Sequence, residues 1–315
     1  MRAVAAILVV ISHISIKSLS HAHYEIDWGK YGIIGVDIFF IISGYIMMFI
    51  AHKRENDMKL FLKSRFIRII PLYWTLSFLS LIVYLYNPNI VNSSTGDTTI
   101  LSSFFLIPGN GTFLLATGWT LSYEVYFYFL FSIALLFKFQ YRYLMLMLLM
   151  ILLVGYGSVF NDESFFFSDK LLEFLIGMVF FMTHKPSKIN FIFPFFFLVS
   201  SILVFQFLDG MAHIIQYGIS ASLFFVAMLQ LEPFFRKYKA VWIATIFEKI
   251  GKSSYSLYLT HLFVLGAVSR IVKPELLQTH PYLYIGTLFI GSIIVGYLCY
   301  LYLETFLIQW IRKRL

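Results

Sequence analysis

Residues 1–15, MRAVAAILVVISHIS, place Arg2 at the head of an apolar run and His13 eleven positions further in. At about 1.5 Å of helical rise per residue the two are roughly 16 Å apart, about half of a ~30 Å hydrocarbon core. Read as a membrane helix, the stretch anchors a cation at the membrane edge and buries an imidazole near mid-depth. An ionisable group at that depth is costly to maintain, so it is a functional candidate whose partners must lie elsewhere in the chain.

The rest of the chain has the same character. Its 315 residues are 60% hydrophobic, 20% aromatic and only 13% charged, which excludes a water-soluble globule with ordinary surface coverage. Ten apolar runs of spanning length fall at roughly 2–17, 31–51, 67–86, 118–138, 142–160, 169–184, 190–208, 213–231, 253–272 and 282–308. They predict an all-α fold, a polytopic membrane helix bundle of about ten transmembrane helices forming one domain over residues 1–315. A barrel would instead show short alternating segments.

With the N-terminus inside, nineteen Lys and Arg residues fall in inner loops and five outside (Lys17, Lys30, Lys170, Arg270 and Lys273), which puts both termini in the cytoplasm. The net charge of +8 is therefore topology and suits anionic membrane lipids; it is not a nucleic-acid-binding signal. Cys299 is the one cysteine and lies in the last span, so no disulfide framework and no thiolate metal cluster is available. The first run lacks a small-residue cleavage site and reads as a signal-anchor. The loop carrying His21, His23, Glu25 and Asp27 reads as solvated, and no metal site is assigned.

Further ionisable residues enter the membrane from both sides. Asp37 in the second span and Glu124 in the fourth each lie six residues in from the outer end, which by counting matches the depth of His13. Arg65 and Arg68, three apart on one helical face, fall with Arg2 at the cytoplasmic edge. Pro71 is expected to break or tilt the entry into the third span, and Glu173 to snorkel at the interface. Residues 242–250 repeat apolar side chains at helical spacing, an interfacial amphipathic segment. The Gly251-Lys252-Ser253 that follows is no phosphate loop, because position 246 holds Ile246 where that motif needs glycine. His261 lies about eight residues into the ninth span, with Tyr258 one turn away.

Paired guanidiniums suit bidentate phosphate binding, so the arginines read as the binding site for a phosphate-bearing acyl donor from the cytoplasm. His13 reads as a general base for an attacking hydroxyl or as an acyl carrier, with Asp37 or Glu124 orienting the ring. Tyr258, Tyr123 and Ser43 supply hydroxyls for the developing oxyanion, and His261 stands as a supporting residue.

RAVAAILVVISH at 2–13, GVDIFFIISGY at 35–45, SRFIRIIPLYW at 64–74, GWTLSYEVYFY at 118–128 and GKSSYSLYLTH at 251–261 together resemble the membrane-bound acyltransferase family 3, most of all its exopolysaccharide and O-antigen O-acetyltransferase branch. The resemblance covers essentially the whole chain, in order. It implies transfer of an acetyl group from cytoplasmic acetyl-CoA, a co-substrate and not a permanently bound cofactor, to a hydroxyl of a surface glycan or its lipid-linked precursor in the bacterial inner membrane. It also implies that Arg2 and His13 are the essential pair, that Arg65 and Arg68 form the Arg-x-x-Arg donor motif, and that Glu124 is the acidic residue after Gly-Trp-Thr. The chain departs from the family pattern at its start, where Met1 directly precedes Arg2 without the usual Leu-Asp-x-Leu lead-in.

A different class competes with this reading. In a proton-coupled transporter or lipid-linked-sugar flippase the same buried histidines and carboxylates relay protons, with substrate moved and not modified. That class expects paired discontinuous helices in the two halves, a pattern absent from the hydropathy of this chain.

Overall fold

The helix Phe139–Phe160 presents apolar side chains outward along its length: Leu144, Leu148 and Leu152 are 57%, 50% and 69% exposed. Such a surface is stable against lipid and not against water. The computed structural model describes residues 1–22, 24–53, 57–91, 98–108, 111–184, 192–237, 242–272 and 279–314. His23 and the side chain of His21 lie outside them.

The described chain is helical, its β content being an isolated bridge between Thr98 and Thr112. In chain order the helices are α1 (Arg2–Ala22), α2 (Gly35–Lys53), α3 (Met58–Tyr86), α4 (Pro88–Val91), α5 (Ile100–Phe105), α6 (Gly118–Ala134), α7 (Phe139–Phe160), α8 (Leu171–Thr183), α9 (Ile192–Phe207), α10 (Ile219–Lys237), α11 (Trp242–Lys252), α12 (Ser254–Ile271), α13 (Pro281–Cys299) and α14 (Thr305–Arg314). 3₁₀ segments at Asp27–Ile34 and Phe165–Phe167 and π-helical turns at Ile214–Gly218 and Tyr300–Glu304 join some of them. Each of the ten apolar runs lies on a helix. Among the described residues, six stretches are long and apolar enough to cross a membrane: Arg2–Ser20, Asp27–Ala51, Met58–Tyr86, Tyr141–Phe160, Ile214–Phe235 and Pro281–Arg314. The chain is a multi-pass membrane protein.

Two compact units emerge, Met1–Tyr45 with Ile176–Tyr302, and Ile46–Leu175 with Leu303–Leu315. In the first, one stripe of α1 (Ala3, Ala6, Val10 and Ile14) is buried with Leu257 and Leu265 of α12, Ile250 of α11, and Tyr284 and Leu288 of α13. The steps of three and four along α1 are those of one helical face. The 3₁₀ segment lies against α1 so closely that a Cβ on Gly32 would stand 2.2 Å from the Leu8 carbonyl oxygen. Only glycine permits that approach.

In the second unit α3 runs antiparallel to α6. Phe61 packs on Tyr128 and Phe131, with ring centroids 6.1 and 5.2 Å away, while at the other end the Tyr73 hydroxyl meets Gly118. Asp57 caps α3, accepting from the Lys59 and Leu60 amides at 2.7 and 3.4 Å. The helix therefore starts nine residues earlier than the apolar run does, and it continues through Pro71. The expected break does not occur, the helix being continuous from Met58 to Tyr86 with Pro71 inside it; transmembrane helices tolerate such prolines.

The described residues before α6 include the short helix α5, which is held against α3. Tyr73 donates to the Ser103 carbonyl at 2.7 Å and Trp74 to that of Phe104 at 2.8 Å, while Ser103 Oγ accepts from the Leu114 amide at 2.8 Å. Arg142, counted among the topological cations, is buried and donates to the Leu135 and Phe137 carbonyls at 3.3 and 3.0 Å, closing the C-terminal end of α6.

Candidate active site

In the first unit α1 and α12 bring His13 and His261 together. Their ring centroids are 4.9 Å apart and the planes meet at 69°. Each ring is tied one turn back on its own helix, His13 Nδ1 lying 2.9 Å from the Val9 carbonyl and His261 Nδ1 3.2 Å from that of Leu257. A carbonyl only accepts, so each Nδ1 carries the proton. Both Nε2 atoms of the neutral rings are therefore basic lone pairs. His261 is fully buried, and its Nε2 has no hydrogen-bond partner among the described residues. A buried acceptor in that condition is ready for a donor from outside the chain.

Tyr258 lies beside this pair, its ring 6.0 Å from His261 and 5.9 Å from Phe39 of α2. Arg2 opens α1, eleven residues before His13, with its Nε buried. Ser43 is half-buried on α2. Among the described residues, the hydrogen-bond partner of His13 is the Val9 carbonyl.

Asp37 is 3% exposed and has a partner of its own: Oδ1 is 3.3 Å from Nε2 of His213, whose ring lies 4.8 Å from that of Tyr217. His213 precedes the π-helical turn Ile214–Gly218, and sequence reasoning passed over it. The signal available was the requirement of a buried aspartate for a partner.

In the second unit the antiparallel register of α3 and α6 sets Arg65 and Arg68 alongside Glu124 and Tyr128. Counting from the run at residue 67 puts the arginines at the cytoplasmic edge and Glu124 in the outer half. With α3 beginning at Met58, Arg65 stands about 10 Å inside the helix, and the three residues share one level of this unit. Tyr128, 5% exposed, donates its hydroxyl to Glu124 Oε1. Arg65 lies over the faces of Tyr128 and Phe61, 6.0 and 5.9 Å from their centroids, and its Nε donates to Ser64 Oγ at 3.2 Å. Arg65 and Arg68 are half-buried, and neither forms an ion pair among the described residues. Two such guanidiniums in an apolar setting call for an anion.

Tyr123 faces elsewhere, its ring 4.4 Å from Phe165 and 6.2 Å from Trp119 in an aromatic cluster. Glu173, expected to snorkel, is fully buried in the first turn of α8. Its side chain is enclosed by protein instead of reaching outward. On α11, Lys252 is committed to Glu248 at 2.8 Å, which holds its ammonium above the ordinary lysine range, in keeping with the rejected phosphate loop.

The acyltransferase domain of family 3 matches residues 1–301 of the chain. The exopolysaccharide production protein ExoZ of Rhizobium meliloti (strain 1021) is 28% identical over 262 residues, 76% of this chain and 78% of that protein. The peptidoglycan O-acetyltransferase OatA of Listeria monocytogenes serovar 1/2a (strain ATCC BAA-679 / EGD-e) is 35% identical over 92 residues, 27% of this chain and 14% of that protein. No solved structure matches the chain.

Proposed function

The chain belongs to the acyltransferase family 3, and from that premise we propose that it is an O-acetyltransferase moving an acetyl group from cytoplasmic acetyl-CoA to a hydroxyl of a surface polysaccharide or its lipid-linked precursor. The acceptor class rests on the relatives, one named for exopolysaccharide production and one for O-acetylation of peptidoglycan. The reading includes a single acyltransferase domain over residues 1–315, ten spans, both termini in the cytoplasm, and residence in a bacterial inner membrane. The polarity of the Lys and Arg residues supports it.

The observation that carries the chemistry is the bare, basic Nε2 that the Val9 carbonyl fixes on His13. In this reading Nε2 of His13 takes the proton from the acceptor hydroxyl as its oxygen attacks the thioester carbonyl. The tetrahedral species expels the coenzyme A thiolate, which receives that proton from the imidazolium. His261 Nε2 accepts a hydrogen bond from a substrate and holds it against His13. In the second unit Arg65 and Arg68 take the phosphates of the donor, where two uncompensated cations already stand. Asp37, engaged by His213, has a structural role.

Transfer of labelled acetyl from acetyl-CoA to a bacterial glycan extract by the purified protein in lipid nanodiscs tests this. The wild type labels the glycan and His13→Ala does not; equal labelling by both removes the proposed chemistry. Movement of an acceptor across the bilayer without covalent change would establish the transporter class instead.

A further inference from the structure

Glu124 and the two arginines face each other from adjacent antiparallel helices of one unit, in surroundings that screen charge poorly. The default outcome for a carboxylate placed near guanidiniums is a bidentate salt bridge. An arginine so engaged is neutralised and lost to a phosphate. Here that pairing is absent from Arg65 and Arg68 among the described residues, and what stands in its place is Tyr128.

Tyr128 uses two chemically different parts of one side chain. Its hydroxyl donates to the Glu124 carboxylate one turn back on α6, which satisfies an anion without cancelling its charge. Its ring face lies against the Arg65 guanidinium, with Phe61 supplying the second face. A cation held by an aromatic face is steadied and keeps its full charge and its N–H donors. The ring itself is fixed, 6.1 Å from Phe61 and 6.0 Å from Phe127, so the phenol does not turn aside. Arg65 and Arg68 both act electrostatically on the phenol, which places the second arginine in the same neighbourhood.

We propose that Tyr128 is a positioning residue that keeps Glu124 from neutralising the arginine pair, so that Arg65 and Arg68 stay open to the phosphates of a coenzyme A donor. The inference rests on the reading of these arginines as the donor site. It assigns to a tyrosine that touches neither substrate a direct effect on donor affinity. Removing the hydroxyl withdraws one hydrogen bond from the carboxylate and lets it turn toward the guanidiniums, closing the anion site from within.

The test is equilibrium binding of coenzyme A to the purified protein in nanodiscs, without an acceptor. Tyr128→Phe weakens binding about tenfold or more, and Tyr128→Phe/Glu124→Gln returns it to within about threefold of the wild type, because a neutral amide cannot cancel the arginines. A merely structural tyrosine would show no such rescue. Wild-type binding by Tyr128→Phe, or a double variant as weak as the single one, overturns the proposal. Arg65→Ala/Arg68→Ala separates the two layers of inference. If that variant binds coenzyme A normally, the donor-site reading fails and the proposal with it. If it loses binding while Tyr128→Phe does not, the tyrosine role alone fails.

Discussion

His13 and His261 stand edge to face with their ring centroids 4.9 Å apart, each tethered through Nδ1 to a carbonyl one turn earlier on its own helix. The arrangement commits both Nδ1 atoms and leaves both Nε2 atoms outside those tethers. It follows that the two positions differ in what a substitution removes. His13→Ala is expected to lower the acetyl-transfer rate by at least about 10²-fold, the ordinary contribution of a general base. His261→Gln, which keeps an acceptor near the Nε2 position, is expected to retain more activity than His261→Phe, with the difference in KM. Steady-state kinetics in nanodiscs with both substrates varied decides this; equal kcat losses in the two His261 variants would falsify the substrate-holding role.

Arg65 and Arg68 are expected to act on the donor alone. Hydrogen bonds to charged groups contribute about 1.5–3 kcal/mol, so losing one arginine is expected to raise the acetyl-CoA KM by roughly 10- to 100-fold while the acceptor KM stays in place. Arg68→Lys keeps the charge but not the fork, and falls between the wild type and Arg68→Ala. An acceptor KM that rises in parallel would show that the arginines shape the fold and do not bind the donor.

Asp37 separates structure from chemistry. Because its carboxylate pairs with His213, Asp37→Asn is expected to lower thermal stability. Its transfer rate per folded molecule should exceed that of His13→Ala by at least about tenfold. Melting temperature and specific activity are measured on the same preparation. A fully inactive but normally stable Asp37→Asn returns the residue to the catalytic set.

Gly118 opens the helix that carries Glu124, and a Cβ there would stand 2.7 Å from the Tyr73 hydroxyl and 3.0 Å from the Phe113 ring. Gly118→Ala is expected to cost about 1–3 kcal/mol as an overpacked site. Adding Tyr73→Phe removes the nearest atom, so the double variant is expected to lose less stability than the two single losses combined. Strict additivity in thermal unfolding would mean that the contact exerts no pressure.

The proposed site residues stood out in the sequence because an ionisable group in an apolar run is conspicuous. A histidine at mid-span and arginines three apart are visible in one dimension, and so was the helical class of every apolar run. What the linear reading missed were consequences of pairing between helices. The level of Arg65 and Arg68 depends on α3 starting at its Asp57 cap, in a polar stretch that hydropathy leaves out, and on the register against α6. His213 as the partner of Asp37 depends on packing between elements some 175 residues apart, next to a π-helical turn that no spacing rule announces. For His13 a carboxylate was sought, and the partner seen among the described residues is the Val9 carbonyl.

That last feature bears on how such a chain can change over time. Val9 and Leu257 hold the two imidazoles by their main-chain carbonyls, a group that every amino acid presents, so replacing either aliphatic side chain leaves the tether in place. The reactive tautomer is thus inherited from helical geometry and survives drift in its neighbours. In the proposed reaction, side chains around the pair can then change while Nε2 of His13 keeps its aim.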